Sequence, residues 1–335
     1  MKKIALGLGL ALLVLVLAAC GSNNQNEAPQ QTAAAETAAP EATPTASADA
    51  AGQTEGETKT IQYLGKSYVV PSQTDRIVIT GALEAMEDSI LLNVHPVGAI
   101  SVGGEFPAMF SSIVDKAESV GEKTEPDFEK ILQLKPDVIL ASTKFPAEVL
   151  EKLEKIAPTL PYSHVSTDWE ANLTLLGELS GKQDEAAKQI ADYKTKLDEV
   201  KGQLGDMSGK SVLAVRIRQG QVFVYSASTF FNPLLYQDLG LAVPEPVKAA
   251  KAQEAISVEK LAELNPDVLI VQFSPDENKD APNAEKELER NPILKATNAV
   301  KNGQMLVNLV DPLAQGGTAY SKVAFLQAFA EHIAK

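Results

Sequence analysis

Three features of the sequence predict an α/β protein of two similar lobes joined by one long α-helix. A thirteen-residue segment occurs twice at a constant offset of 130, and each copy reads as a helix passing directly into a buried strand. Between the copies lies a single long stretch whose apolar residues fall three or four apart. A length of 335 residues also exceeds what one small core organises and suits two domains of ordinary size.

Taken from the start, Lys2 and Lys3 precede residues 4–19, all apolar or Gly, and the run ends Leu17-Ala18-Ala19-Cys20. It is shorter than the roughly 20 apolar residues of a transmembrane helix and closes on small residues, as an export signal does. Leu-Ala-Ala-Cys followed by Gly21 and Ser22 resembles the bacterial lipoprotein processing box, which implies a lipoprotein signal peptide over 1–19 and a lipidated Cys20 holding the chain to a membrane. Cys20 is the only cysteine, so a disulfide framework and a cysteine-based zinc site are excluded. Residues 21–60 contain no Val, Ile, Leu, Met, Phe, Tyr or Trp and cannot offset their ordering entropy, so 20–60 is expected to be a disordered tether.

The globular part then divides into a lobe over 61–180, a connecting helix over 181–208 and a second lobe over 209–335. Residues 61–70 alternate about Gly65-Lys66 and predict a β-hairpin. Strands are expected over 76–80, 97–100, 211–217, 222–225 and 304–310. The repeat shares Glu-Lys-(Ile/Leu)-x-x-Leu-x-Pro-Asp-Val: Phe128, Ile131 and Leu132, like Val258, Leu261 and Leu264, have helical spacing, and Pro-Asp then stops the helix before a short apolar strand. Each lobe should therefore be a mostly parallel sheet covered by helices. In the connecting helix Ala186, Ile190, Tyr193, Leu197, Val200 and Leu204 form one face.

The paired blocks, the Asp168-Trp169-Glu170-Ala171-Asn172 entry, Leu176-Gly177-Glu178-Leu179 before Gly181-Lys182, and Val215-Arg216-Ile217-Arg218-Gln219-Gly220 occur in that order. Over 61–335 the chain resembles the substrate-binding lipoproteins of iron-siderophore ABC importers, the helical-backbone class of periplasmic binding proteins. The resemblance implies a class III periplasmic-binding-protein fold. It also implies capture of a ferric siderophore between the lobes and delivery to ABC permease subunits driven by a cytoplasmic ATPase.

Arg216 and Arg218 follow an apolar strand two residues apart and so share a face, at the carboxyl end where open α/β sheets bind ligands. Lys144 holds the corresponding place past the strand at 138–142, and Lys123 lies in the loop before the first repeat. Four unpaired basic residues facing one cleft resemble the basic pocket of tris-catecholate binders, whose ligand is a trianion with aromatic faces suited to Arg and Lys. A neutral hydroxamate complex would gain little there. Gln219, Gln253 and Gln315 are further pocket candidates as neutral donors. By the same resemblance Glu129 and Glu259, equivalent in the two repeats, are the residues that meet arginines on the two permease subunits.

No Gly-x-Ser-x-Gly elbow, phosphate-binding glycine loop or His-Glu-x-x-His occurs, so an enzyme is not expected. His95, His164 and His332 are scattered and predict no intrinsic metal site; iron(III) would arrive only inside its siderophore. A net charge of -14 excludes generic binding to nucleic acid. The sequence reading is thus a monomeric lipoprotein on the extracytoplasmic face of the cell membrane. A ferric hydroxamate, haem or cobalamin receptor on the same fold, or a surface sensor without a transport role, is the alternative.

Overall fold

The computed structural model describes residues 57–204 and 209–333, so the signal segment, Cys20 and most of the tether lie outside the described residues. The described residues open with the expected hairpin, β1 (Thr58–Tyr63) antiparallel to β2 (Lys66–Pro71). Leu64 and Gly65 both have positive φ, 47° and 77°, the two-residue turn whose twist matches the flanking strands.

A six-stranded sheet follows, in the order β6 (Glu125–Pro126), β5 (Glu118–Glu122), β4 (Gly98–Ser101), β3 (Ile77–Thr80), β7 (Val138–Ser142) and β8 (Thr159–Tyr162). All its pairings are parallel except the short β5–β6 edge. Strands β3 and β7 are buried at every position, as strands covered on both faces should be. Helices α1 (Leu83–Leu92), α2 (Phe128–Leu134) and α3 (Ala147–Glu154) connect these strands. Strand β8 is not among the strands expected from the sequence; Pro161 lies within it, tolerated because β8 is an edge strand.

Helix α4 (Trp169–Ser180) turns at Gly181 into α5 (Gln183–Leu204), the long helix expected, about 33 Å at 1.5 Å per residue. Its predicted face is the packed one: Ala186, Tyr193, Leu197 and Val200 are buried against the core.

The second sheet runs β11 (Gln253–Ala255), β10 (Gln221–Tyr225), β9 (Val212–Arg218), β12 (Val268–Phe273), β13 (Met305–Val307). It corrects the expectation of a mostly parallel sheet: β9–β12 and β12–β13 are parallel, but β10 is antiparallel to both neighbours. The cause is local. Gln219 and Gly220, with φ of 49° and 74°, make a two-residue hairpin turn, and so short a connection can only reverse the chain. Strand β13 is also shorter than the expected 304–310. Helices α6 (Glu245–Ala249), α7 (Val258–Leu264), α8 (Ala284–Arg290) and α9 (Asn298–Lys301) surround this sheet, and α10 (Ala319–Ile333) closes the chain.

The repeat has the same local structure twice. Asp127 caps α2 by accepting from Lys130 N, and Ser257 caps α7 by accepting from Lys260 N. Both helices end on a left-handed residue, Lys135 or Asn265. The following Asp then fixes the neighbouring strand: Asp137 Oδ2 accepts from the amides of Asp75 and Arg76, and Asp267 Oδ2 from the amide of Ser211.

Helix α10 packs against α1, α4 and α5. At its start two buried carboxylates of α1 meet it: Glu87 accepts from Gln315 N, Thr318 Oγ1 and Ser321 Oγ, and Asp88 from Ala319 N and Tyr162 Oη. Further along, Phe325 stacks between Phe231 of the second lobe and Phe329, with centroids 4.4 and 5.8 Å away. The last helix thus belongs by contact to both halves of the molecule.

Candidate functional site

One end of each sheet contributes to a cavity of about 280 Å³. That volume lies just below the roughly 300–1,000 Å³ of small-molecule sites. Lys123, Lys144, Arg216, Arg218, Gln253 and Gln315 line it, together with Glu84, His164, Tyr225, Thr229, Phe230 and Ala252. Of the seven residues expected there, six are brought together. Gln219 is not: it sits exposed in the β9–β10 turn, where its amide donates to Glu277 O over 3.0 Å.

The register of the second sheet explains the grouping. Arg216 lies opposite Phe223, and Tyr225 lies opposite Gln253, so Arg216, Arg218, Tyr225 and Gln253 project from one face. Arg216 is 4% exposed, and its Nε donates to Glu277 Oε2 at 2.8 Å. Arg218 reaches Glu277 Oε1 at 3.2 Å through Nη2 and Gln253 Oε1 at 3.0 Å through Nη1. Glu277 stands in the turn Pro275–Asn278, held to the β9–β10 hairpin by Asn278, whose side chain accepts from Gly220 N and donates to Ile217 O.

In the first lobe Lys144 Nζ donates to Glu84 Oε1 at 2.9 Å, and Glu84 is buried at the start of α1. These contacts correct the expectation of four unpaired bases. Lys144, Arg216 and Arg218 each carry a carboxylate partner, although Arg216 Nη2 is buried without one; of these four side chains Lys123 alone makes no hydrogen bond among the described residues. Burial, followed by the charges of Lys144 and Arg216, pushes Lys123 down to about 8.

Beside the arginine pair the wall is aromatic. Tyr225 and Phe230 stack at 4.7 Å, and the Arg216 guanidinium lies 5.9 Å from the Phe230 centroid. Burial raises the Tyr225 hydroxyl above its ordinary value, while Arg216 and Arg218 act in the opposite direction. His164, bonded through Nδ1 to Thr143 Oγ1 at 2.7 Å, is lowered by burial and then by Lys144, which keeps the ring neutral near pH 7. Gln315 is held at its backbone, where its amide donates to Glu87 Oε1 at 2.7 Å. The following Gly316-Gly317 passes against other backbone: a Cβ on Gly317 would lie 2.7 Å from Ser166 Cα, a contact only glycine avoids.

Glu129 and Glu259 lie away from the cavity, each exposed as the second residue of its helix. His95 pairs with Asp115 at 2.7 Å and His332 with Ala328 O at 2.8 Å, both at the surface. Among the described residues no group of three or more His, Cys, Asp or Glu could hold a metal ion. Sequence reasoning missed Glu84, His164, Tyr225, Phe230 and Glu277. Tyr225 alone had a usable signal, since it closes a recognised strand beside the Arg216 strand.

The profile described as periplasmic binding protein matches residues 89–307. Among curated proteins, the iron-uptake system-binding protein of Bacillus subtilis is 52% identical over 334 residues, covering 99% of each chain. Among solved structures, the triscatecholate siderophore binding protein FeuA from Bacillus subtilis, complexed with ferri-bacillibactin, is 56% identical. It superposes with a TM-score of 0.79 over 82% of this chain and 98% of that one. The catecholate-siderophore binding protein VctP from Vibrio cholerae, 24% identical with a TM-score of 0.66 over 81% of this chain and 99% of its own, shares the fold.

Proposed function

The chain belongs to the periplasmic binding protein family, and from that premise we propose that it captures a ferric tris-catecholate siderophore between its lobes and delivers it to an ABC permease. The observation that carries the reading is the convergence of Lys123, Lys144, Arg216 and Arg218 beside the Tyr225–Phe230 stack. Charge and aromatic surface side by side match a complex whose anionic oxygens and catechol rings alternate around the metal. The relative solved with ferri-bacillibactin supports the same ligand class. Iron is cargo in this reading, and the protein works by binding and release rather than by catalysis.

Three finer points belong to the proposal. Glu129 and Glu259, exposed at equivalent helix starts, meet the two permease subunits. Cys20 carries the lipid that keeps the protein on the extracytoplasmic face of the membrane, in keeping with lipoproteins among its relatives. The protein acts as a monomer, one copy per transporter.

The test is a fluorescence titration, since Tyr225 lines the cavity and reports on a bound catecholate. Saturable quenching by ferric bacillibactin or ferric enterobactin, with a ferric hydroxamate bound far more weakly, is expected. Preference for the hydroxamate overturns the ligand class.

A further inference from the structure

We propose that Glu84 and Glu277, one carboxylate in each lobe, are specificity determinants that set the charge of the anion the cleft accepts. The inference rests on the siderophore reading above. Both side chains are largely buried, 6% and 15% exposed, and each is paired with the cations of its own lobe. Glu84 takes Lys144. Glu277 straddles Arg216 and Arg218 with one oxygen on each.

Buried carboxylates are costly to keep without a partner, and each of these has its partner in the ligand site itself. Four cations less two carboxylates leave the site at +2, with the His164 ring neutral. A site at +4 would favour the most highly charged anion in its surroundings over one of the right shape. Two fixed counter-charges cut that bias and leave shape and aromatic contact to choose among ligands.

The two carboxylates also stay in place when a ligand enters. Glu277 projects from a turn fastened to the β9–β10 hairpin, and Glu84 from a buried helix. Their charge therefore opposes every unit of negative charge on the ligand. The effect is separable from shape, because one tris-catecholate ligand wrapped around a trivalent or a tetravalent metal gives complexes of nearly equal size that differ by one charge.

The experiment compares the gallium(III) complex of bacillibactin, a trianion, with its germanium(IV) complex, a dianion. Both are titrated by calorimetry into the wild type, E84Q and E277Q. Glutamine keeps the shape and one acceptor oxygen while removing the charge. Each substitution is expected to raise the affinity ratio of trianion to dianion by roughly tenfold, as one unit charge acting on one further unit of ligand charge across a partly buried site requires. A ratio unchanged within about twofold in both variants overturns the proposal. So does a variant that loses both complexes, since its carboxylate would then support the shape of the cleft and not its charge preference. A wild type that binds neither complex overturns the siderophore reading itself, and this inference with it.

Discussion

Lys322, in the first turn of the last helix, donates to Asp238 Oδ2 across 2.6 Å while 1% exposed. Tyr193 of the long connecting helix donates to the same oxygen at 2.6 Å, and the Lys322 ammonium lies 5.4 Å from the Trp169 ring and 5.3 Å from that of Tyr193. Four elements meet on this buried charge. Replacing Asp238 with Ala leaves the ammonium buried and unpaired and is expected to cost about 3–5 kcal/mol. Lys322→Met, which removes the charge and keeps the volume, should cost much less, and urea unfolding of both variants measures the difference.

The arginine pair carries the second prediction. Arg216→Ala combined with Arg218→Ala removes both second-lobe cations and leaves Glu277 without a partner. Affinity for a ferric tris-catecholate should fall at least about a hundredfold, roughly 3 kcal/mol. Titration at fixed ionic strength checks it, and near-unchanged affinity would remove the pair from the site.

Lys123 makes binding pH-dependent. In the free protein it titrates at about 8, held down by burial and by its basic neighbours, while a bound anion favours its charged form. Affinity for the anion should therefore be complete below pH 8 and decline as pH rises through and above that value. Lys123→Met should bind more weakly at pH 7 and lose this alkaline decline.

Glu87 and Asp88 act on stability instead. Burial raises them to about 7 and 8, above their ordinary carboxylate values, so the folded protein holds protons that the unfolded chain releases from about pH 4 upward. A raised carboxylate contributes most below its unfolded value, and its contribution is lost as pH climbs towards the folded one. The melting temperature should thus decline between about pH 5 and pH 8, and Asp88→Asn should flatten that slope.

Transport tests the surface pair. Glu129→Ala with Glu259→Ala should abolish siderophore-dependent iron uptake in cells while leaving ligand affinity within about twofold. Both side chains are exposed, so the cost in stability should stay near 0.5 kcal/mol or below. A loss of binding would contradict a docking role.

Features that depend on neighbours in sequence were legible beforehand. The Pro-Asp steps at 136–137 and 266–267 located two strands and two helices, and the three-and-four spacing from Ala186 to Val200 gave the packed face of α5. Arg216 and Arg218 were readable as a pair because strand residues two apart share a face. What escaped depended on closure of long loops. Glu84 lies 60 residues from Lys144 and Glu277 61 from Arg216, distances at which periodicity carries no information. The antiparallel edge of the second sheet had a local signal in Gln219-Gly220, but the turn it makes consumed a residue read as a ligand donor.

The contact between α1 and the start of α10 has a consequence for how the molecule is made. A chain emerging from its amino end presents Glu87 and Asp88 early, and the amides and hydroxyls of 315–321 that receive them come last. Until then Glu87 has none of these partners and Asp88 only Tyr162, and the apolar side chains around α1 cannot close over them without a penalty. The amino-terminal half is therefore expected to close fully only once the carboxyl-terminal end arrives, and a chain truncated before residue 315 should be cut by proteases more readily than the full one.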